Sequence, residues 1–349
     1  MGKDREPISE AADNDRELYE IANWYERTLL DRVAVSVYNG LRFVSRAVVI
    51  LLSILLLLTL VALGGLGLLL DRPIVTVLVF FSVAPAFGLA AYVWYADPTT
   101  SEPLWLLLAT FLLGLLFANF AAVINSLTQP LFVWIPIVGL SLYFYLVVAP
   151  IEEFVKLLAV RLYAFNSNSF DSVIDGAVYG AFAGLGFATI ENALYVSRGL
   201  QTALQGSAGG EIPVLGIVAG TAAVRALAGP GHVIYSAFAG YYLGLAKFNP
   251  EDAGPIIVKG LLIAALIHGT YNSLSTVVPN ALVAGLSLPP ALATLAFIIG
   301  YVALFSYLPT GKLSGIRRCM RRSVLLHKRE IDNYRDRNRC GAERFPPVL

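Results

Sequence analysis

Two adjacent glutamates and a nearby lysine stand out because they interrupt a long apolar stretch of the chain. Residues 103–151 contain no Asp, Glu, Lys or Arg, and Glu152, Glu153 and Lys156 then occur together before the sequence becomes apolar again. An ionisable side chain in hydrocarbon costs about 2.5–3.5 kcal/mol on insertion scales, so it is retained with partners and usually with a function. A carboxylate held in such a setting can take a proton from water, which is the chemistry of a general base.

The spacing of the three charges predicts that they share one helix face. Lys156 is four residues from Glu152 and three from Glu153, so both carboxylates can lie beside its ammonium group. A buried ion pair that only neutralises itself would account for one glutamate and leave the other over. We therefore expect Lys156 to hold one glutamate while the other acts as the base, and the sequence leaves open which is which.

Further polar side chains in other apolar segments complete the candidate catalytic set. They are Glu191, His232, His268 and Asn272. His268 and Asn272 are four residues apart and therefore share a helix face. Glu191 could instead be a structural residue paired with Arg225 or Lys156, and a single intramembrane histidine is often only a packing residue. Two histidines, three glutamates and an asparagine on four helices exceed what packing explains.

The composition places the chain among polytopic membrane proteins. Of its 349 residues, 57% are hydrophobic and only 14% are charged, and the mean hydropathy is +0.70. A soluble domain carries about 25% charged residues. The two cysteines, Cys319 and Cys340, lie in the C-terminal tail without CxxC spacing, which argues against a disulfide scaffold and against a cysteine-based metal site.

Apolar runs of about 20 residues predict an all-α fold with about eight transmembrane helices. Pro136 and Pro150 divide one long run, and the triplet Gly229, Pro230 and Gly231 predicts a break or kink from which a helix restarts at His232. A Gly- and Ser-rich stretch at 199–212 predicts a loop. The predicted spans are residues 47–70, 73–96, 104–127, a part of 131–163, 172–196, 212–248, 255–277 and 286–308.

The depth of the glutamates refines two of these spans. Glu152 and Glu191 lie on antiparallel helices that rise about 1.5 Å per residue, so they meet only if both are near the centre of the membrane. This requires membrane sections at residues 143–163 and 181–201, with residues 131–142 as a separate outer piece. We expect the two carboxylates to share one cavity.

The segments that flank the apolar body carry most of the charge. Residues 1–46 contain nine acids and seven bases, and residues 311–349 contain eleven bases and four acids. Helical spacing of apolar residues within 17–44 predicts an amphipathic N-terminal helix at the membrane interface. Eight spans put both termini on one side, and the basic tail places that side in the cytoplasm of a multi-pass cell-membrane protein. We expect the tail to lie near anionic lipid of the bilayer and expect no nucleic acid partner.

The motifs resemble those of the PrsW family of intramembrane proteases, which is related to the CAAX prenyl endopeptidases. The resemblance rests on Glu152-Glu153-x-x-Lys156, Phe187-x-x-x-Glu191, Pro230-Gly231-His232 and His268-x-x-x-Asn272. It covers about residues 145–275, the core of a transmembrane protease domain at 47–310 between the N-terminal segment and the tail. The prenyl endopeptidases carry histidine in place of Glu191, which favours the PrsW branch.

The resemblance implies a glutamate-dependent or metal-dependent endopeptidase that cuts membrane-associated protein substrates, as in regulated proteolysis of a single-pass anti-sigma factor. Water activated by Glu152 or Glu153 would attack the peptide bond, with His268 and Asn272 facing the developing oxyanion. Glu191, His232 and His268 form a His₂Glu set that suits catalytic zinc, but HExxH spacing is absent, so a zinc-dependent and a metal-free mechanism both stay open.

Two other functions could use the same buried Glu and His residues. A secondary transporter also concentrates such groups at mid-membrane, but it often shows an internal repeat, and the sequence has none that we detect. A catalytically inactive membrane scaffold would tolerate the loss of a motif member, whereas every member is present.

Overall fold

The computed structural model of the chain describes residues 26, 28–62, 72–97, 102–206, 211–290, 292–301 and 303–304, which are helical apart from short connections. The predicted all-α fold is therefore confirmed for the described residues. Two units, Met1–Leu52 and Ser53–Leu349, are distinguished by their contacts. The basic tail and residues 1–25 of the N-terminal segment lie outside the described residues.

The helices in chain order are α1 (Leu29–Ala62), α2 (Pro73–Tyr95), α3 (Leu104–Thr128), α4 (Pro130–Val133), α5 (Gly139–Tyr143), α6 (Ala149–Leu162), α7 (Val173–Gly206), α8 (Glu211–Lys247), α9 (Ala253–Leu286) and α10 (Leu292–Tyr301). Among the described residues, six helical segments are long and apolar enough to cross a membrane. They are Phe43–Ala62, Pro73–Tyr95, Leu104–Val133, Val173–Gly206, Val214–Lys247 and Pro250–Leu286. The count of eight stays a prediction.

Helix α1 joins two segments that the sequence separates. It begins directly after Thr28, and a capping box forms at this end: the Thr28 amide donates to Asp31 Oδ2 at 2.6 Å and the Asp31 amide donates to Thr28 Oγ1 at 3.2 Å. The helix then runs without interruption into the first apolar segment. The amphipathic segment and the first span are thus one helix over the described residues, whereas two helices were expected.

The helix that carries the paired glutamates is assembled from three short pieces. Pro136 lies in the non-helical connection after α4, where Ile137 takes a positive φ of 66°. Helical structure resumes with α5, passes through a π-helical turn at Phe144–Val148 and continues as α6. Pro150 lies in the first turn of α6, where its missing N–H is tolerated. Helical structure therefore begins at Gly139, four residues before the expected start of the span.

Helices α7 and α8 form the most extensive pairing in the bundle, and α7 also packs against α3, α2 and α6. Glycine makes this approach possible: a Cβ at Gly184 would collide with the backbone carbonyl of His232, and one at Gly180 with that of Ser236. The backbones of α7 and α8 are therefore held in direct contact at the level of His232. This contact fixes the depth of the histidine against α7.

Two local predictions for these helices were wrong. The triplet at 229–231 predicted a break or a kink, and helix α8 continues through Pro230 without the break, because an apolar setting retains helical hydrogen bonds even where proline deprives one carbonyl of its partner. The kink stays a prediction. His232 accordingly lies inside a helix and not at a restart. Residues 199–206 are the last turns of α7 and not a loop.

Candidate active site

A chain of buried hydrogen bonds links Glu153 and Lys156 to both histidines. Lys156 Nζ lies 2.6 Å from Glu153 Oε1 and 3.1 Å from His232 Nδ1. His268 Nδ1 lies 2.8 Å from the same Glu153 oxygen. Glu153 and Lys156 are 0% and 1% exposed, so no solvent competes with these contacts. Three helices, α6, α8 and α9, are joined at this point.

These contacts assign the hydrogens on the two imidazoles. A carboxylate only accepts hydrogen bonds, so His268 donates through Nδ1–H to Glu153, and its Nε2 carries a lone pair. The Lys156 ammonium only donates, so His232 accepts at Nδ1 and carries its hydrogen on Nε2. His232 Nε2 lies 2.7 Å from Glu191 Oε2 and donates to it. The two histidines therefore present opposite hydrogen-bonding character.

Glu152 has a different environment from its neighbour. Its Oε1 accepts a hydrogen bond from Asn125 Nδ2 at 3.0 Å, and Tyr143 donates to the backbone carbonyl of Asn125 at 2.7 Å. Its Oε2 has no hydrogen-bond partner within the described part of the chain and lies 3.7 Å from His268 Nε2, beyond hydrogen-bonding distance. One oxygen of Glu152 is thus positioned by α3 and the other is available for chemistry.

Glu191 is held by an arginine on the neighbouring helix. Arg225 Nη2 lies 2.5 Å from Glu191 Oε2, and Arg225 Nε donates to Asn192 Oδ1 at 2.8 Å. Asn192 Nδ2 in turn donates to the backbone carbonyl of Ser82 at 2.9 Å. The Arg225 guanidinium also lies 4.4 Å from the centre of the Tyr195 ring. The pairing of Glu191 with Arg225, one of the expected alternatives, is therefore present, and His232 binds the same carboxylate oxygen.

A cavity of about 600 Å³ gives access to this cluster. Glu152, Glu191, His232, His268 and Asn272 all contribute to its lining. The expected meeting of Glu152 and Glu191 in one cavity thus occurs. Glu153 and Lys156 are not among the described residues that line it, and they form a layer behind the lining.

Aromatic rings pack around the histidines. Tyr235 stacks on His268 with 4.9 Å between ring centres, and Phe187 packs on His232 at 5.3 Å. Lys156 Nζ lies 4.4 Å from the centre of the Phe187 ring, a cation–π contact. Phe187, four residues before Glu191, therefore packs against both His232 and Lys156.

Hydrogen bonds join five of the seven predicted catalytic residues, namely Glu153, Lys156, Glu191, His232 and His268. Glu152 lies 3.7 Å from His268, and Glu152 and Asn272 both line the cavity. Sequence reasoning missed Asn125, Asn192 and Tyr235. Asn125 lies near the end of a predicted apolar span, and its only sequence signal is an amide in that setting. Asn192 follows Glu191 directly, and Tyr235 is three residues from His232, which is one helical turn.

In the structure Glu152, and not the predicted Glu191, is the carboxylate grouped with the two histidines. One ligand atom each from Glu152, His232 and His268 lies within 4.8 Å of the others, and all three residues are buried. Glu191, the predicted carboxylate ligand, instead accepts hydrogen bonds from Arg225 and His232. Two imidazoles and a carboxylate are donors that suit zinc. This buried group fits a metal ion.

A comparison with protein families matches the part of the chain that carries this site. The model of the PrsW family intramembrane metalloproteases matches residues 102–307, which include every site residue named above. The chain belongs to the PrsW family. It is therefore a peptidase of the membrane, and the membership agrees with the resemblance carried by its motifs.

Curated PrsW proteins from several bacteria are similar to this chain. "Protease PrsW" of Geobacillus kaustophilus is 30% identical over 56% of this chain and 78% of its own length. The proteins of the same name from Oceanobacillus iheyensis and Bacillus subtilis are 29% and 28% identical, over 54% and 57% of this chain and 79% and 82% of their own lengths. No solved structure matches the chain.

Proposed function

We propose that this PrsW protein hydrolyses peptide bonds of membrane proteins with Glu152 as the carboxylate that activates water. The observation that carries the proposal is that Glu152 lines the cavity while its Oε2 has no hydrogen-bond partner among the described residues. Glu153 also has an unpartnered Oε2 among these residues, but it is 0% exposed, does not line the cavity and is bound at Oε1 by both Lys156 and His268. The two glutamates of the motif therefore have separate tasks.

In this mechanism Glu152 accepts a proton from water at Oε2 while Asn125 holds its other oxygen. The same carboxyl then donates that proton to the leaving amine, so one residue serves as base and as acid. The Asn272 amide lines the same cavity and is the donor we assign to the developing oxyanion. His268 presents a lone pair at Nε2, so it cannot donate to the oxyanion as the sequence had suggested.

His232 and Glu191 form the opposite wall of the site. The Nε2–H of His232 donates to Glu191, and Arg225 fixes that carboxylate from α8. Arg225 acts on the reaction through Glu191, so we assign it as a positioning residue. Lys156 has the corresponding role for His232 from the other side.

Glu152, His232 and His268 are the residues that would hold a metal ion, zinc being the candidate from their donor atoms. When bound, the ion supplies a Lewis acid that lowers the pKa of water and polarises the peptide carbonyl. His268 Nε2 already presents a lone pair, and Glu152 would bind through one carboxylate oxygen and keep the other for the proton, whereas His232 would have to give up the hydrogen that it donates to Glu191. Glu153 then serves as the outer carboxylate that fixes the tautomer of His268.

The position of the cavity supports a substrate that is cut towards one face of the membrane. Asn125, Ser126 and Gln129, at the C-terminal end of α3, line the cavity. With both termini in the cytoplasm and the predicted order of spans, this end of α3 lies on the outer side. We propose that a single-pass membrane protein is cut there as a step of regulated proteolysis.

The test is cleavage of a membrane protein substrate by the purified enzyme in nanodiscs. Substrates are first identified as membrane-protein fragments that occur in cells with the wild-type enzyme and are missing with Glu152→Gln. We expect Glu152→Gln to lower the rate of substrate cleavage by at least about a hundredfold. Glu251→Gln changes an exposed acid that does not line the cavity, and it should leave the cleavage rate unchanged. Full activity of Glu152→Gln would disprove the assignment.

A further inference from the structure

A second group of acidic side chains lies far from the active site. Asp97 follows the C-terminal end of α2, Glu102 precedes α3, and Asp175 lies in the first turn of α7. One carboxylate oxygen from each lies within 4.8 Å of the others. Asp175 precedes Glu191 by sixteen residues on one helix, which corresponds to about 24 Å. The group is therefore separate from the Glu and His cluster.

Helix capping explains only one member of this group. Asp175 Oδ2 accepts hydrogen bonds from the amides of Asp171 and Ser172 at 2.8 and 2.9 Å, and the Asp175 amide is 3.3 Å from Ser172 Oγ. This is a capping box at the start of α7. Asp97, in contrast, lies at the C-terminal end of α2, where the helix dipole disfavours a negative charge.

Glu102 points to a bound cation most directly. Its side chain is 3% exposed, and neither carboxylate oxygen accepts a hydrogen bond. It therefore does not cap α3, although it lies just before that helix. Burial, with the neighbouring Asp97 carboxyl, raises the pKa of Glu102 to about 8. At neutral pH Glu102 therefore keeps its proton when no cation is bound, and a cation held between the carboxylates would take the place of that proton.

A lysine near Asp175 directs its hydrogen bonds at backbone carbonyls. Lys247 has an electrostatic interaction with Asp175. Its ammonium, however, donates to the backbone carbonyls of Phe165 and Phe170 at 2.8 and 2.6 Å and lies 3.3 Å from that of Ser167. All three hydrogens are therefore directed at the connection between α6 and α7.

We propose that Asp97, Glu102 and Asp175 form a site for a hard divalent cation, Mg²⁺ or Ca²⁺, which ties together the ends of α2, α3 and α7. Carboxylate oxygens are the ligands that these ions take, and water completes their shell. The cation would place a positive charge between the three carboxyl groups at the ends of these helices. This site is independent of the catalytic proposal.

The consequence is structural support for the catalytic helix. Glu191 lies on α7, and the cation would fix the first turn of that helix against α2 and α3. We expect the ion to raise the thermal stability of the whole enzyme and to have no direct part in hydrolysis.

The experiment measures the melting temperature of the purified full-length protein in detergent, after treatment with EDTA and then with MgCl₂ or CaCl₂ at 5 mM. A ligand at about a hundred times its Kd should raise the melting temperature of the wild type by about 4 °C. We expect Glu102→Gln and Asp97→Asn to lose this rise. Glu251→Gln, an exposed acid on the 3₁₀ turn Pro250–Asp252, is the matched control and should keep it.

A second comparison separates this site from the active site. Glu152→Gln changes the only carboxylate in the Glu152, His232 and His268 group, so its melting temperature should still rise with Mg²⁺ or Ca²⁺. Isothermal titration calorimetry with MgCl₂ or CaCl₂ should show one binding event in Glu152→Gln and none in Glu102→Gln. Absence of any rise in the wild type with either ion, or an equal rise in Glu102→Gln, would overturn the proposal.

Discussion

The Nδ1 of His268 lies 2.8 Å from Oε1 of Glu153, the oxygen that Lys156 also binds. Glu153 therefore accepts hydrogen bonds from both a lysine and a histidine. The contact also orients His268 so that the lone pair on its Nε2 faces Glu152. It supports the proposed division of roles, in which Glu153 orients the histidine and Glu152 meets the water. The two carboxylates should therefore respond differently to mutation.

Glu153→Gln should destabilise the folded protein more than Glu152→Gln does. Glu153→Gln leaves Lys156 buried without a carboxylate, and breaking a buried ion pair costs about 3–5 kcal/mol. Glu152→Gln keeps an oxygen that can accept from Asn125, so its free energy of unfolding should change by less than about 1 kcal/mol. Both should lose activity. Thermal unfolding in detergent and cleavage assays measure the two effects, and equal stability of the variants would contradict the assignment.

Arg225 should affect catalysis through Glu191. Arg225→Gln removes the charge at 2.5 Å from the Glu191 carboxylate and should lower kcat by about tenfold to a hundredfold, the usual loss for an outer partner of a site. Arg225→Lys should recover only part of the activity, because lysine cannot bind Glu191 and Asn192 at once.

A double-mutant cycle distinguishes this role from simple packing. If Arg225 acts through Glu191, then Arg225→Gln should reduce kcat in the wild type but have little further effect in Glu191→Gln. Additive losses in the double variant would show that Arg225 acts independently of Glu191. The KM for substrate should change less than kcat in either case.

Gly184 should be intolerant of any side chain. A Cβ there would collide with the carbonyl of His232, so Gly184→Ala should move α8 away from α7 and displace the histidine. We expect a loss of about 1–3 kcal/mol, typical of overpacking, together with reduced activity. Gly220→Ala is the control, since a Cβ at Gly220 meets no atom within 4 Å. Equal behaviour of both variants would argue against the backbone contact.

Metal content tests the ligand set. Active protein should contain about one equivalent of a transition metal by elemental analysis, and zinc is the expected ion. His268→Ala should lose it, because this histidine presents a free lone pair, whereas Asn280→Ala, at an exposed amide of α9, should keep it. Fully active protein without metal would exclude the metal part of the mechanism and leave the role of Glu152 to the cleavage assay.

The sequence by itself determined the membrane class, the all-α fold and the catalytic candidates, because each of these follows from where charge occurs in apolar runs. Glu152, Glu153, Glu191, His232 and His268 are conspicuous for the same reason: hydrocarbon penalises them individually. Depth along antiparallel helices also predicted that Glu152 and Glu191 would share a cavity. These inferences depend on local composition and helix geometry, which sequence shows directly.

Only the tertiary structure decided the roles within the cluster. The choice between Glu152 and Glu153 depends on which oxygen meets His268 and which meets Asn125, and those partners come from helices distant in sequence. Local signals were also overruled: Pro230 predicts a break or a kink, yet α8 has no break there, because apolar surroundings favour an intact helix. Helix rotation and side-chain pairing across the bundle are set by packing of the whole, so residue spacing cannot determine them.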